Sequence, residues 1–440
     1  MSRLDLLKDK PQKLFFSYLL PSMCSNVFTS IYVITDTMMV GHGVGKEGLV
    51  ALNLLLPVFN VFFAFGYMFG VGGSVLMSVA KGRKDEKEAS SIFTTALLTL
   101  VLIGFALTIG CSLEIRRIAA VLGATNENME LVLEYGRWLM GSGMIYMLVP
   151  FFQNFVKNDK DPKRAMIGSV VGSALNMLLD YILIFPMQLG MSGAIIATII
   201  GNVINVVITI SHLFTRQNTM KFKISSFQGK YILKVIKNGA SSFLTELSVG
   251  IVIFVFNIQI LSYLGERGIV IYSVISNVAI VVNALLNGVA FSAQPIVSFN
   301  MGAGEYDRVK KVRNIGLFTS FIMAALLYGI IFFFTKGCIY AFVTPTWDIL
   351  EYGIPAIRIY FVGSFALFIN VFLANYFQAI VKPVCAFVIG FLRGLVFCVL
   401  LVWILPGILG GDIIWWVMPI TEVLTAMVSL YFLNNKRLYL

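Results

Sequence analysis

The chain has 440 residues, of which 58% are hydrophobic and only 12% charged, with a formal net charge of +11. A water-soluble domain carries roughly 25% charged residues, because its surface must face water. Halving that share excludes an ordinary soluble enzyme or regulator and points to a surface that faces lipid.

A helix needs about 20 mostly apolar residues to cross the hydrocarbon core. Such stretches fall at 14–41, 49–79, 91–113, 128–156, 164–186 and 190–214, then at 236–264, 269–300, 312–335, 349–380, 383–406 and 411–434. The expected fold is therefore an all-α membrane protein of about twelve transmembrane helices. Pro21, Pro57, Pro150, Pro295 and Pro355 lie within these spans; lipid tolerates them where neighbouring helices re-satisfy the backbone. The first span is too long for the core of a signal peptide, so no cleavable leader is expected.

In chain order, the first span carries Pro21 and, fifteen residues later, Asp36 in VFTSIYVITDTMMVG. The fourth carries Arg137. The fifth carries Asn176 and Asp180 in SALNMLLDYILIF, one turn apart on one helical face. The sixth, antiparallel to the fifth, carries Thr198 in GAIIATIIGN. Residues 215–235, with KFKISSFQGK, form a basic linker. The seventh span brings Glu246 in NGASSFLTELSVG, and Arg358, Arg393 and Glu422 follow in the tenth, eleventh and twelfth.

Twenty-five of the 33 Lys and Arg residues, from Arg3 at one end to Lys436 and Arg437 at the other, fall in loops on one side. The other side holds only Lys46, Arg116, Arg117, Arg267 and Lys336. This is the positive-inside pattern, and it predicts both termini in the cytoplasm. The basic surplus is topogenic, so nucleic acid is rejected as a partner.

The two halves repeat. GKEGLVALN from Gly45 returns as GERGIVIYS from Gly265, a displacement of 220 positions. GVGGSVLMSVAKGRKDE from Gly70 is echoed by GVAFSAQPIVSFNMGAGEYDR from Gly288. Asp161-Pro162 matches Lys382-Pro383, and Phe185-Pro186 matches Leu405-Pro406. Six spans per half predict two lobes, residues 1–214 and 236–440, joined by the 215–235 linker and related by a pseudo-two-fold along the membrane normal. A cleft between such lobes is the natural substrate route.

An ionisable group at bilayer depth costs on the order of a few kcal/mol, which makes each a functional candidate. Asp36, Asp180, the Asn176 amide and the Thr198 hydroxyl are hard oxygen donors, suited to a small hard cation such as Na+ or to a proton shared between acids. No His, Cys or Met ligand accompanies them, which argues against a transition metal. A buried polar network that ties helices together is the competing reading. At the repeat offset these positions meet Phe256, Val396, Leu400 and Met418, so the second half keeps the scaffold without the polar groups. Structural glue should tend to recur in both halves; a specialised site need not.

Glu246 either lines the cleft or partners an intramembrane arginine. Arg137 lies three residues after Glu134 and Arg358 seven after Glu351, spacings that suggest structural pairing, and Glu422 reads the same way. The 19 Met and 37 Phe residues fit an adaptable apolar cleft, although packing accounts for most of them. The five cysteines show no paired spacing, and neither His42 nor His212 is assigned a role.

The chain resembles the MATE (multidrug and toxic compound extrusion) family, in its bacterial multidrug-exporter branch. The likeness is carried by the Leu20-Pro21…Asp36…Gly41 pattern, the NMLLD motif ending at Asp180, Gln294-Pro295 with NMGAGEYDRVKK, and the two-lobe layout. The resemblance implies a coupling-ion site on Asp36, Asn176, Asp180 and Thr198, and helix bending at Pro21. It implies a second-lobe acid, Glu246, that couples or binds cationic drugs. One departure is the tenth span, YFVGSFALFINVFLANYFQ, which lacks the further acid some relatives carry. A second-lobe cation site of that kind is not expected.

The expected function is secondary antiport: organic cations or amphipathic drugs leave the cell in exchange for Na+ or H+, with no cofactor and a monomer as the working unit. The alternative is a lipid-linked oligosaccharide flippase of the same superfamily, with arginines gripping a diphosphate. An integral membrane enzyme is disfavoured, because no loop gathers an acid/base or nucleophile constellation. A channel would differ in being unable to move solute uphill.

Overall fold

The computed structural model describes residues 5–435, which leaves Arg3, Lys436 and Arg437 outside the described residues. Within it every regular element is a helix, as the apolar run lengths require. Leaving aside the short helices Ile115–Val121 and Thr335–Phe342, the spanning helices are, in order, α1 (Pro11–Gly43), α2 (Lys46–Gly82), α3 (Glu86–Leu113) and α4, made of Met129–Gly141 and Gly143–Asn158 bent by 49°. Then come α5 (Pro162–Ile184) and α6 (Gly190–Ile210). The 73-residue helix Lys230–Gly302 breaks its dihedral pattern at Gly265 (φ 64°), dividing it into α7 (230–264) and α8 (266–302). The last four are α9 (Tyr306–Phe333), α10 (Trp347–Ala379), α11 (Pro383–Leu409) and α12 (Ile414–Asn434). Counting bent α4 once and dividing at Gly265 gives twelve spans.

Local chemistry sets several of these ends. Asp85 and Asp161 accept the backbone N–H groups of Glu88 and Arg164, and Thr346 accepts that of Ile349, each filling an otherwise orphaned donor. Pro11, Pro162 and Pro383 occupy first-turn positions where no N–H is needed. Leu102, Phe105 and Ile109 of α3 and Phe318 and Leu326 of α9 are exposed, as lipid-facing residues should be.

The repeat is written into the backbone. Left-handed residues recur in pairs: Gly45 with Gly265, Lys84 with Gly304, Lys160 with Val381 and Gly190 with Gly410. The paired positions are 220 or 221 residues apart, so both halves turn their chain at the same places.

Two hydrophobic cores define the lobes. One gathers α2 to α6, with Phe69, Phe93, Phe151 and Phe155 at its centre. The other gathers α8 to α12 with the later part of α7, around Phe256, Phe372 and Phe377. The first helix of each half crosses between them. Leu14, Phe15 and Tyr18 of α1 sit in the second lobe's core, whereas Val40 near its far end sits in the first's. Tyr231 and Val235 of α7 join the first lobe's core in return. Because α7 starts at Lys230, its opening turns fall inside the 215–235 stretch.

On the Lys- and Arg-rich face, α2 and α8 meet through a reciprocal contact. A Cβ on Gly82 would stand 2.2 Å from the Phe299 carbonyl oxygen, and one on Gly302 would stand 2.0 Å from that of Val79. Gly82 and Val79 are the repeat counterparts of Gly302 and Phe299, so the lobes close this face at their symmetry axis.

Candidate functional site

The expected four residues converge. Helix α5 packs along both α6 and α1. Gly172 and Gly201 let α5 and α6 approach until a Cβ on either would meet the other's carbonyl oxygen at 2.6 or 2.7 Å. That approach brings Asn176 Nδ2 to donate to Thr198 Oγ1 at 3.2 Å, while Thr198 Oγ1 donates to the Ala194 carbonyl. One turn on, Asp180 is fully buried and faces Asp36 of α1, which is partly buried.

The oxygens of this cluster are short of donors. Both carboxylate oxygens of Asp180, Asp36 Oδ1 and Asn176 Oδ1 have no hydrogen-bond partner. Buried polar atoms are nearly always satisfied, and those left over call for an explanation. The cluster's own donors, Asn176 Nδ2 and Thr198 Oγ1, are spent on Thr198 and Ala194, so the four remaining oxygens have acceptor capacity that a cation or a proton could fill.

Two cavities meet at Tyr32 and Thr198. The smaller, about 460 Å³, is largely apolar and reaches Asp36 past Phe59 and Tyr135. The larger, about 660 Å³, runs through the first lobe between α1, α4, α5 and α6. Its wall is rich in amides and hydroxyls, with Gln153 Nε2 donating to Ser169 Oγ at 2.7 Å and to Asn205 Oδ1 at 3.0 Å.

Glu246 of α7 is partly buried and lies beside Tyr67 of α2, which also lines the larger cavity. No ion pair to Glu246 occurs among the described residues. Arg393 instead binds Glu422, Nε to Oε1 at 2.6 Å, and Asn370 donates to the same carboxylate at 2.8 Å. The pairings expected from spacing for the other two arginines do not form. Glu134 accepts from the backbone and hydroxyl of Ser192, and Arg137 is exposed without an ion-pair partner among the described residues. Arg358 donates to the Phe332 carbonyl and to Thr335, and stacks on the Phe332 ring, rather than reaching Glu351. Helix α1 runs unbroken through Pro21, which is buried.

A second cluster lies on the basic face. Asp159, just past α4, accepts from Lys81, Thr219 and His212, whose other ring nitrogen meets Asp161 at 3.1 Å. Burial opposes the charge on Asp159, yet the His212, Lys81 and Thr219 contacts outweigh it and bring its pKa down to about 2. Spacing gave no hint of His212, because its partners come from a loop fifty residues earlier. Tyr32 and Tyr67 were likewise missed, though Tyr32 precedes Asp36 by one helical turn and so shares its face.

Comparison with known proteins agrees with this architecture. The MatE family pattern matches residues 21–182 and 241–404. "Multidrug export protein MepA" of Staphylococcus aureus (strain MSSA476) is 23% identical over 429 residues, covering 96% of this chain and 94% of that protein. "Probable multidrug resistance protein YoeA" of Bacillus subtilis (strain 168) is 23% identical over 341 residues, covering 74% and 72%. Among solved structures, the outward-facing conformation of a multidrug resistance MATE family transporter of the MOP superfamily superposes with a TM-score of 0.93. That superposition covers 100% of this chain and 98% of the other at 23% identity, a likeness of fold.

Proposed function

This chain belongs to the MatE family of multi-pass membrane transporters, and from that premise we propose that it is a secondary antiporter. It exports organic cations or amphipathic drugs from the cell in exchange for Na+ or H+. Asp36, Asn176, Asp180 and Thr198 form the coupling-ion site. The basic face is the cytoplasmic one, the interlobe cleft carries the drug, and Glu246 lines it. A single chain already contains both lobes, so the monomer is the working unit.

The observation that carries this reading is the set of four buried oxygens without donors at one place in the first lobe. Coupling follows from electrostatics. An empty site leaves carboxylate charge in a poorly solvating interior, and a bound cation or proton relieves it. If relief differs between the two lobe arrangements, loading shifts the balance between them by that difference. Pro21 lies in the segment of α1 that joins the second lobe's core, on the helix that also carries Asp36, and it supplies the weak point for bending. The relatives' names support drugs as the exported class. The flippase alternative needs arginines free to grip a diphosphate. Of the two arginines that reading rests on, Arg358 is engaged with Phe332 and Thr335 whereas Arg137 has no ion-pair partner among the described residues, so it is the unpartnered oxygen cluster that favours antiport.

The test is efflux of a fluorescent organic cation from proteoliposomes under an imposed Na+ gradient, then a pH gradient. Asp36→Asn should reconstitute normally and lose gradient-driven efflux. Wild-type efflux by that variant refutes the site.

A further inference from the structure

The larger cavity has a wall of neutral amides and hydroxyls with one charged residue among those described, Lys157, in the last turn of α4. Lys157 is 6% exposed. Its ammonium has no ion-pair or hydrogen-bond partner among the described residues and rests 5.3 Å from the ring centroid of Phe291, on α8 of the opposite lobe. Lys81 on the same face is as deeply buried but fully partnered, by Asp159 and Thr219. The repeat sharpens the contrast. Lys157 corresponds to Gln378 in the second half, which is neutral and satisfied, donating to the Asn238 carbonyl at 2.6 Å and to Ser242 at 3.0 Å. The second lobe lacks the acids and lacks the lysine too.

A buried, unpartnered ammonium is costly, and its place on the cavity wall decides what it can act on. Gln153, one turn before Lys157, is bonded to Ser169. Ser169 lies eleven residues before Asp180 on α5, a backbone rise of roughly 16 Å, and Lys157 is a further helical turn toward the basic face. It is too far to neutralise the carboxylates and well placed to repel a cation moving from them toward the basic face.

We infer that Lys157, backed by Phe291, is an electrostatic cap on the first lobe's cavity that retains the coupling cation until the lobes part. This rests on the proposed ion site. The oxygen-lined cavity is the cation's route to the basic face, and the cation–π contact holds the ammonium at its mouth while the lobes are closed there. When the lobes separate, α8 withdraws the ring. The long lysine stem then lets the charge swing to the aqueous face and vacate the mouth. The cap thus ties ion release to lobe position, which tight exchange requires.

The experiment is passive Na+ and H+ flux into proteoliposomes of the full chain without drug. Lys157→Gln introduces the residue the second lobe already accommodates. It should raise leak by about tenfold or more, as loss of a modest barrier does, whereas Lys157→Arg stays near wild type. Phe291→Leu should leak in between. Adding Asp36→Asn to Lys157→Gln should abolish the excess leak, because the route passes the acids. Leak at wild-type level in both Lys157→Gln and Phe291→Leu overturns the cap. An excess leak that survives Asp36→Asn also overturns it. Gradient-driven efflux that is unaffected by Asp36→Asn alone marks a failure of the ion-site reading instead.

Discussion

Two buried acids in this chain have opposite surroundings. Glu422 is 1% exposed and satisfied, held by Arg393 and Asn370, while Asp180 is 0% exposed and accepts nothing. The first is a satisfied structural pair, and the second has the open acceptors that the proposed ion site requires. Removing one partner of a buried ion pair typically costs about 3–5 kcal/mol, because a charge is stranded. Arg393→Met should therefore lower the thermal midpoint of the detergent-solubilised protein by several degrees, and adding Glu422→Gln should restore most of it; an unchanged midpoint in the single variant would contradict this. Asp36, Asn176, Asp180 and Thr198 were legible in the sequence because polar groups stand out against apolar runs and vanish in the repeat. Lys157 was not. A lysine at the end of a span counts toward the topogenic surplus, and only its burial against Phe291 separates it from its neighbours. Arg137 shows the reverse failure. Three-residue spacing permits a pair with Glu134, but α6 presents the Ser192 backbone and hydroxyl, and Glu134 takes those.

At the scale of elements, the run lengths gave the helices and the loop motifs gave the repeat. The bend in α4 around Ser142 and the π-helical turn Leu392–Phe397 in α11 were not foreseen. Neither follows from hydropathy, since both depend on how a helix is received by its neighbours. The α2–α8 contact was hidden for the same reason: Gly82 and Gly302 read as loop glycines until the two backbones are seen touching. Gly302→Leu has no room beside the Val79 carbonyl, so it should hold the basic face open. Spin labels on the ends of α2 and α8 should report a longer distance in that variant, and an unchanged distance would contradict the closure described. The Asp159 cluster ties α2, the α4–α5 loop, the turn just after α6 and the linker on the same face. Its folded pKa is depressed from 3.8 to about 2, so its contribution is present above pH 3.8 and lost as pH falls through about 2. Asp159→Asn should destabilise the protein at neutral pH and narrow its gap from wild type as the pH drops toward 2, by thermal melting; a gap that widens in acid would contradict the assignment.

At the scale of the molecule, the two lobes exchange the first helix of each half, so α1 carries both a grip on the second lobe and Asp36, the proposed coupling acid, in the first. On the proposed mechanism, a charge change at Asp36 is thereby applied to the element that spans the interface, and lobe rocking and ion loading would share one helix. The pseudo-symmetry was readable from matched glycines, prolines and loop charges. The exchange of α1 and α7 between cores was not, because an apolar residue carries no mark of which lobe it will pack against. The most direct test is reciprocal flux. In proteoliposomes with equal ion concentrations on both sides, an organic-cation gradient alone should drive net Na+ or H+ movement in the opposite direction and build an ion gradient, and Asp36→Asn should abolish that movement. Drug flux with no counter-movement of either ion, or counter-movement that persists in Asp36→Asn, would contradict it.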